Sequence, residues 1–185
     1  SKAIDAWHFD GIGFDYVALV SDPTCLKGGR FEFFKGTKFA FAEMFGLEVP
    51  KIRLGVTDDV PEDAVERVAF PGAGYALFMQ GNMIVHRASP LLESMERITL
   101  VPGFVSRDLS YPDPTAAYDL PRYRQPGICT ELARHSAWLA REKLGKLMDN
   151  ISMEDDTVRI EMSLSEAISN VQIAVDALRQ YRKDG

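Results

Sequence analysis

Three side chains of this sequence have the types and spacing to share a metal ion. His8 and Asp10 stand two apart in "AWHFDGIGFDYVALVSDP", and in a strand residues i and i+2 project to the same face. In "MIVHRA" the same alternation puts Ile84, His86 and Ala88 on one face. A barrel or jelly roll can bring two such faces opposite one another. Two imidazoles and one carboxylate would then hold a metal from one side and leave positions open for chemistry, the donor set of a reactive non-haem iron centre. The chain has three histidines in all, and the third is His135.

The elements that must position these residues are mostly short strands. "FDYVALVS" (14–21) reads as a buried strand and "RFEFF" as a short alternating one. "TKFAFAEMFG" reads as a short helix closed by Gly46, and 47–64 as a long excursion rich in Pro, Asp and Gly. "VERVAFP" is a strand ended by Pro71. "GYALFMQ" and "MIVHRA" read as a hairpin across the Gly81–Asn82 turn. "ERITLVPGFVS" is a further strand, with Gly103 at a bend. Many short strands with glycine turns indicate a sandwich or barrel. After residue 106 a Tyr- and Pro-rich irregular crossing, 107–125, leads to helices in 126–185. Leu164, Ile168, Val171, Val175 and Leu178 make a narrow apolar stripe on the second helix, and Ser163 with Glu166 fits a capping box at its start. The two helices are expected to form an antiparallel hairpin.

Residues 6–105 resemble the Fe(II)/2-oxoglutarate-dependent dioxygenases. The resemblance is carried by the His8-x-Asp10 pair, the Gly28–Gly29 strand entry, Gly74, Gly81, His86, Ser89–Pro90, and Arg97 about ten residues on. It implies a mainly β fold: a double-stranded β-helix, jelly-roll and cupin-like, as the catalytic core over 1–106, with the C-terminal α-helical hairpin behind it. It implies that His8, Asp10 and His86 hold Fe(II) and are catalytic. It also implies that Arg97 binds the distal carboxylate of 2-oxoglutarate, with Thr99 adding a hydroxyl from the same face. A guanidinium is a planar two-pronged donor that stays charged and matches a carboxylate. With O2, such enzymes oxidise an unactivated C–H bond of a small molecule and release succinate and CO2. Related halogenases have Gly or Ala where this chain has Asp10, so the resemblance favours a hydroxylase. Members usually carry helices and a core strand ahead of the His-x-Asp strand. Their absence here leads us to expect a fragment, or a partner chain that completes the fold.

The remaining residues bound the function class. Net charge is −6, and lysine and arginine are scattered, which argues against a nucleic-acid partner. No apolar run reaches membrane-spanning length, and the start has no signal-peptide pattern. Cys25 and Cys129 lack metal or disulfide-framework spacing, so a reducing, cytoplasmic setting and inert thiols are expected. Arg87 should point away from His86. Trp7 and Tyr75 read as core aromatics, and His135 as a surface or interface residue. Arg107, Arg122 and Arg124 flank a crossing that could close over the site. Two other readings stand beside the oxygenase: a cupin-like metalloenzyme that uses the same three ligands without 2-oxoglutarate, and a non-catalytic jelly-roll assembly module. The helical hairpin makes a homodimer plausible, and the biosynthetic substrate is unspecified.

Overall fold

The computed structural model describes residues 6–57, 59–117 and 125–183. Two compact units divide the chain, Ser1–Ser106 and Arg107–Gly185. In the first, strands β1 (Phe14–Leu19), β4 (Ala76–Met79), β6 (Thr99–Leu100) and β7 (Gly103–Phe104) form one antiparallel sheet. Strands β2 (Phe31–Thr37), β3 (Val65–Val68) and β5 (Ile84–Ala88) form another in the order β3-β2-β5. Helix α1 (Lys38–Phe45) and the one-turn α2 (Val49–Ile52) follow β2. The second unit holds α3 (Ile128–Asn150) and α4 (Thr157–Lys183), of 23 and 27 residues. Those two helices mean that the chain as a whole is not mainly β; among the described residues its strands lie in the first unit.

Strand β1 turns Asp15, Val17 and Leu19 inward and Phe14 and Tyr16 outward, the alternation of a sheet covered on one face. Val17, Phe31 and Met79 come from both sheets and meet in one apolar cluster. A larger cluster joins Trp7, Phe9, Phe34, Phe41, Ile52, Val65 and Val85. Helix α1 begins where Thr37 accepts the Ala40 N–H, and it ends at Gly46, whose φ of 60° suits a residue without a Cβ.

The structure corrects several sequence expectations. "GYALFMQ" and "MIVHRA" are not hairpin partners: β4 pairs with β1 and β5 with β2. The turn at Gly81 therefore carries the chain from one sheet to the other, so each strand can bury its apolar face against the opposite sheet. The strand expected in "ERITLVPGFVS" is split by Pro102, which has no N–H to offer a ladder; its carbonyl instead accepts the Tyr16 N–H. Ser163 is not a cap. It lies inside α4 and its hydroxyl donates to the Arg159 carbonyl one turn back, while Asp156 accepts the Val158 N–H where the helix begins. Tyr75 is exposed rather than core. His135 is tied down: its Nε2 lies 2.6 Å from Asp113 Oδ2, holding part of the crossing to α3. Arg122 and Arg124 lie outside the described residues.

Phe41 is fully buried and touches the rings of Trp7, Phe34 and Phe45. Phe41→Ala should cost about 3–5 kcal/mol, read as a lowered urea midpoint with an unchanged slope.

Candidate metal centre

His8 and His86 are direct cross-strand neighbours. The His8 N–H donates to the His86 carbonyl at 3.0 Å and the His86 N–H to the His8 carbonyl at 2.8 Å. Such a pair projects both side chains to one face, and the ring centroids lie 4.5 Å apart. The imidazoles thus meet across one backbone pairing rather than across the width of a barrel. Asp10 joins them because its N–H donates to the Gly81 carbonyl at 2.8 Å, fixing the segment two residues beyond His8.

The three donor groups converge. His8 Nε2 lies 3.6 Å from Asp10 Oδ1, and His86 Nε2 lies 3.4 Å from Asp10 Oδ2. His8, Asp10 and His86 are a group that could hold a metal ion, with ligand atoms all within 4.8 Å of one another. The ring orientations suit this. His8 Nδ1 is 2.8 Å from the Ala6 carbonyl and His86 Nδ1 is 3.0 Å from the Ile84 carbonyl. A carbonyl only accepts, so each Nδ1 carries a proton, and each Nε2 is the ring nitrogen turned to the Asp10 carboxylate. Backbone contacts of this kind orient ligating histidines. Phe31 stacks on the His86 ring at 5.4 Å.

Asp15, on the inward face of β1, was not anticipated as part of the site. It is fully buried, and its oxygens and Asp10 Oδ2 receive no hydrogen bond from the other described residues, which leaves the pair a proton to share between them. Gly81 explains how the two carboxyls fit: a Cβ there would collide with Asp15 Oδ2 and stand 2.9 Å from Asp10 Oδ2. Burial, reinforced by the Asp10 carboxylate, pushes the Asp15 carboxyl up to about 8. Burial acts against the charged form of Asp10 too, but His8, His86 and Asp15 together hold it below the ordinary aspartate value. The pair therefore divides its charge, with Asp10 ionised and Asp15 protonated at neutral pH. The signal in the sequence was parity: Asp15 shares a face with Val17 and Leu19.

Arg97 and Thr99 line the same cavity of about 120 Å³ as His8, Asp10 and His86. Arg97 Nε is buried with no hydrogen-bond partner among the described residues, and burial lowers the arginine's pKa. Its neighbours are pinned from β1's end. The Ser21 hydroxyl accepts the Ile98 N–H at 2.7 Å and reaches the Glu96 carbonyl, and the Val20 N–H donates to the Ile98 carbonyl. Gly29 leaves room for the arm, since a Cβ there would come within 3.0 Å of Arg97 Cδ. Arg87 borders this cavity, yet its guanidinium is engaged by Glu32 at 2.8 Å and lies over Trp7. Cys25 and Cys129 are free thiols that do not line it.

The Asp15 carboxyl titrates near 8 in the fold against 3.8 ordinarily. Between those values the folded chain holds a proton that the unfolded chain has released. This contribution to stability is full below about 4 and is lost as pH rises through 8. The melting temperature of the metal-free protein should therefore fall from pH 5 to pH 8 more steeply in the wild type than in Asp15→Asn. Parallel profiles in the two proteins would rule out a proton held at Asp15. No family model, curated protein or solved structure matches this chain.

Proposed function

We propose that this chain is a non-haem Fe(II)/2-oxoglutarate-dependent oxygenase, a hydroxylase of an unactivated C–H bond in a small molecule, built on a double-stranded β-helix. One observation carries the reading: a half-buried arginine, whose buried Nε has no hydrogen-bond partner among the described residues, lines the same small cavity as a two-histidine, one-carboxylate group. An unpaired buried cation is costly, and a bound carboxylate would offset that cost.

The residues fit both groups. Two imidazoles and an ionised carboxylate suit Fe(II), and the buried Asp10 Oδ2 lies 3.4 Å from His86 Nε2, where both could turn to a shared cation. Bound there, Fe(II) with 2-oxoglutarate and O2 supplies the oxidising power and releases succinate and CO2. The protein's own part is positioning. His8, Asp10 and His86 hold the metal from one side. Arg97 takes the distal carboxylate of the cosubstrate, with Thr99 beside it. Asp15 keeps the Asp10 carboxylate from meeting a second negative charge. Val17 and Phe31 line the same cavity and limit water there. A volume of about 120 Å³ is well under the roughly 300–1,000 Å³ of sites for drug-sized ligands. It suits a five-carbon diacid, and the oxidised substrate must approach from the open side. Because Asp10 fills the carboxylate position, hydroxylation is favoured over halogenation. No helix among the described residues is long and apolar enough to cross a membrane; we place the chain in a reducing, cytoplasmic setting on its acidic charge and free thiols. Arg97 separates this reading from a cupin-like metalloenzyme that uses no 2-oxoglutarate.

The test is succinate formation on exposing the Fe(II)-loaded chain and 2-oxoglutarate to air. The wild type should release succinate slowly without its substrate, and His86→Ala should release none. Arg97→Ala should need about 10–100-fold more 2-oxoglutarate, the worth of a lost charged hydrogen bond. A wild type that binds Fe(II) but neither binds 2-oxoglutarate nor forms succinate would instead favour the cupin-like metalloenzyme.

A further inference from the structure

Helix α4 carries two apolar seams, and α3 takes only one of them. The seam α3 covers is made of small residues: Ala167, Ala174 and Ala177 are 3%, 4% and 7% exposed. Leu132 of α3 packs against Ala174 and Ala177, and Lys143 pairs with Glu166, so the two helices run antiparallel. The second seam is one residue further on at each step: Leu164, Ile168, Val171, Val175 and Leu178. One residue is about 100° around a helix, so this seam faces nearly at right angles to α3. Its residues are large, yet Leu164, Ile168 and Val171 are 41%, 65% and 44% exposed.

Helix α3 extends the same surface. In an antiparallel pair, the residue one step past each contact position turns to the same side on both helices. On α3 those residues are Ala133, Ala137, Ala140, Leu144 and Met148, all exposed except Ala140, which is buried. The described part of the crossing meets α3 about half a turn from Leu144, Asp113 at His135 and Asp108 at Lys146, while Ala117 and Leu178 pack against the Leu132–Ala174–Ala177 cluster, so the open stretch of the α4 seam runs from Leu164 to Val171. The result is an apolar face two helices wide.

We propose that this face pairs with the same face of a second copy of the chain, closing an antiparallel four-helix bundle. Three features select that occupant. The spacing of the large residues, alternately four and three, is the seam that another helix fills by knobs-into-holes packing, and the right-angle offset of the two seams is that of a square bundle. Charge is self-complementary in the antiparallel arrangement. With Ile168 layered on Val171 of the other copy, Glu161 at one end of the seam meets the turn carrying Arg179 and Arg182. The area is also adequate. Helices of 23 and 27 residues are about 35–40 Å long and pack roughly 10 Å apart, giving about 700–800 Å² per copy, near the ~800 Å² per partner of a stable interface. The inference is independent of the metal centre.

Sedimentation of the full-length chain across micromolar concentrations tests it. The wild type should sediment as a dimer. Ile168→Glu, at an exposed position, should keep its helical circular dichroism and weaken the dimer by about 100-fold or more. Glu161→Arg should weaken it too, and adding Arg182→Glu should restore it. A wild type that stays monomeric at all concentrations, the seam then being covered by the rest of the same chain or by nothing, would overturn the proposal. So would a dimer indifferent to Ile168→Glu.

Discussion

His8 and His86 exchange two backbone hydrogen bonds, and the geometry of the candidate metal centre follows from that exchange. The pairing is set at two points: Trp7 bonds with Val56 just before it, and the Asp10 N–H reaches the Gly81 carbonyl just after. A slip of one residue would turn His8 and Asp10 away from His86 together, because side chains alternate across a strand. The slip is opposed by Trp7, which would have to leave a fully buried place among Phe41, Ile52 and Val85. Core packing therefore fixes a register, and the register fixes the ligands.

Around that pairing the fold assembles groups that are unfavourable singly. Two carboxyls lie against Gly81 with oxygens that receive no hydrogen bond from the other described residues, and one guanidinium is partly desolvated. Most buried polar groups are satisfied, and this chain can satisfy such groups elsewhere: buried Glu32 receives both Arg67 and Arg87 at 2.8 Å. The contrast between a saturated ion cluster on one side of β5 and less saturated groups on the other supports the proposed ligand site.

The sequence carried the ligands more fully than their frame. The i, i+2 spacing of His8 and Asp10 and the alternation around His86 were enough to choose three residues that the fold brings together. Arg97 and Thr99, chosen by resemblance, line the cavity with them. Asp15 escaped because "FDYVALVS" was read as one apolar run, although its parity with Val17 and Leu19 marked an acid on the inward face. Sheet partners were not readable. The glycine turn at Gly81 announces a reversal, but which strands β4 and β5 then join depends on residues far away in sequence. Strands as short as β6 and β7, two residues each, have no period to detect. In α4 the apolar period extends upstream through Ile160, so its start at Thr157 was signalled by Asp156 rather than by the Ser163–Glu166 pattern.

In the second unit the same physics acts between helices: α4 carries a small seam for its neighbour and a large seam exposed from Leu164 to Val171. The central claim nevertheless rests on the first unit, that His8, Asp10 and His86 bind one metal ion. Anaerobic calorimetric titration of the full chain with Fe(II) tests it most directly. The account predicts one ion bound per chain, with binding abolished in His86→Ala while the melting profile of the metal-free protein stays close to the wild type. An absence of binding by the wild type, or equal binding by the folded His86→Ala variant, would contradict it.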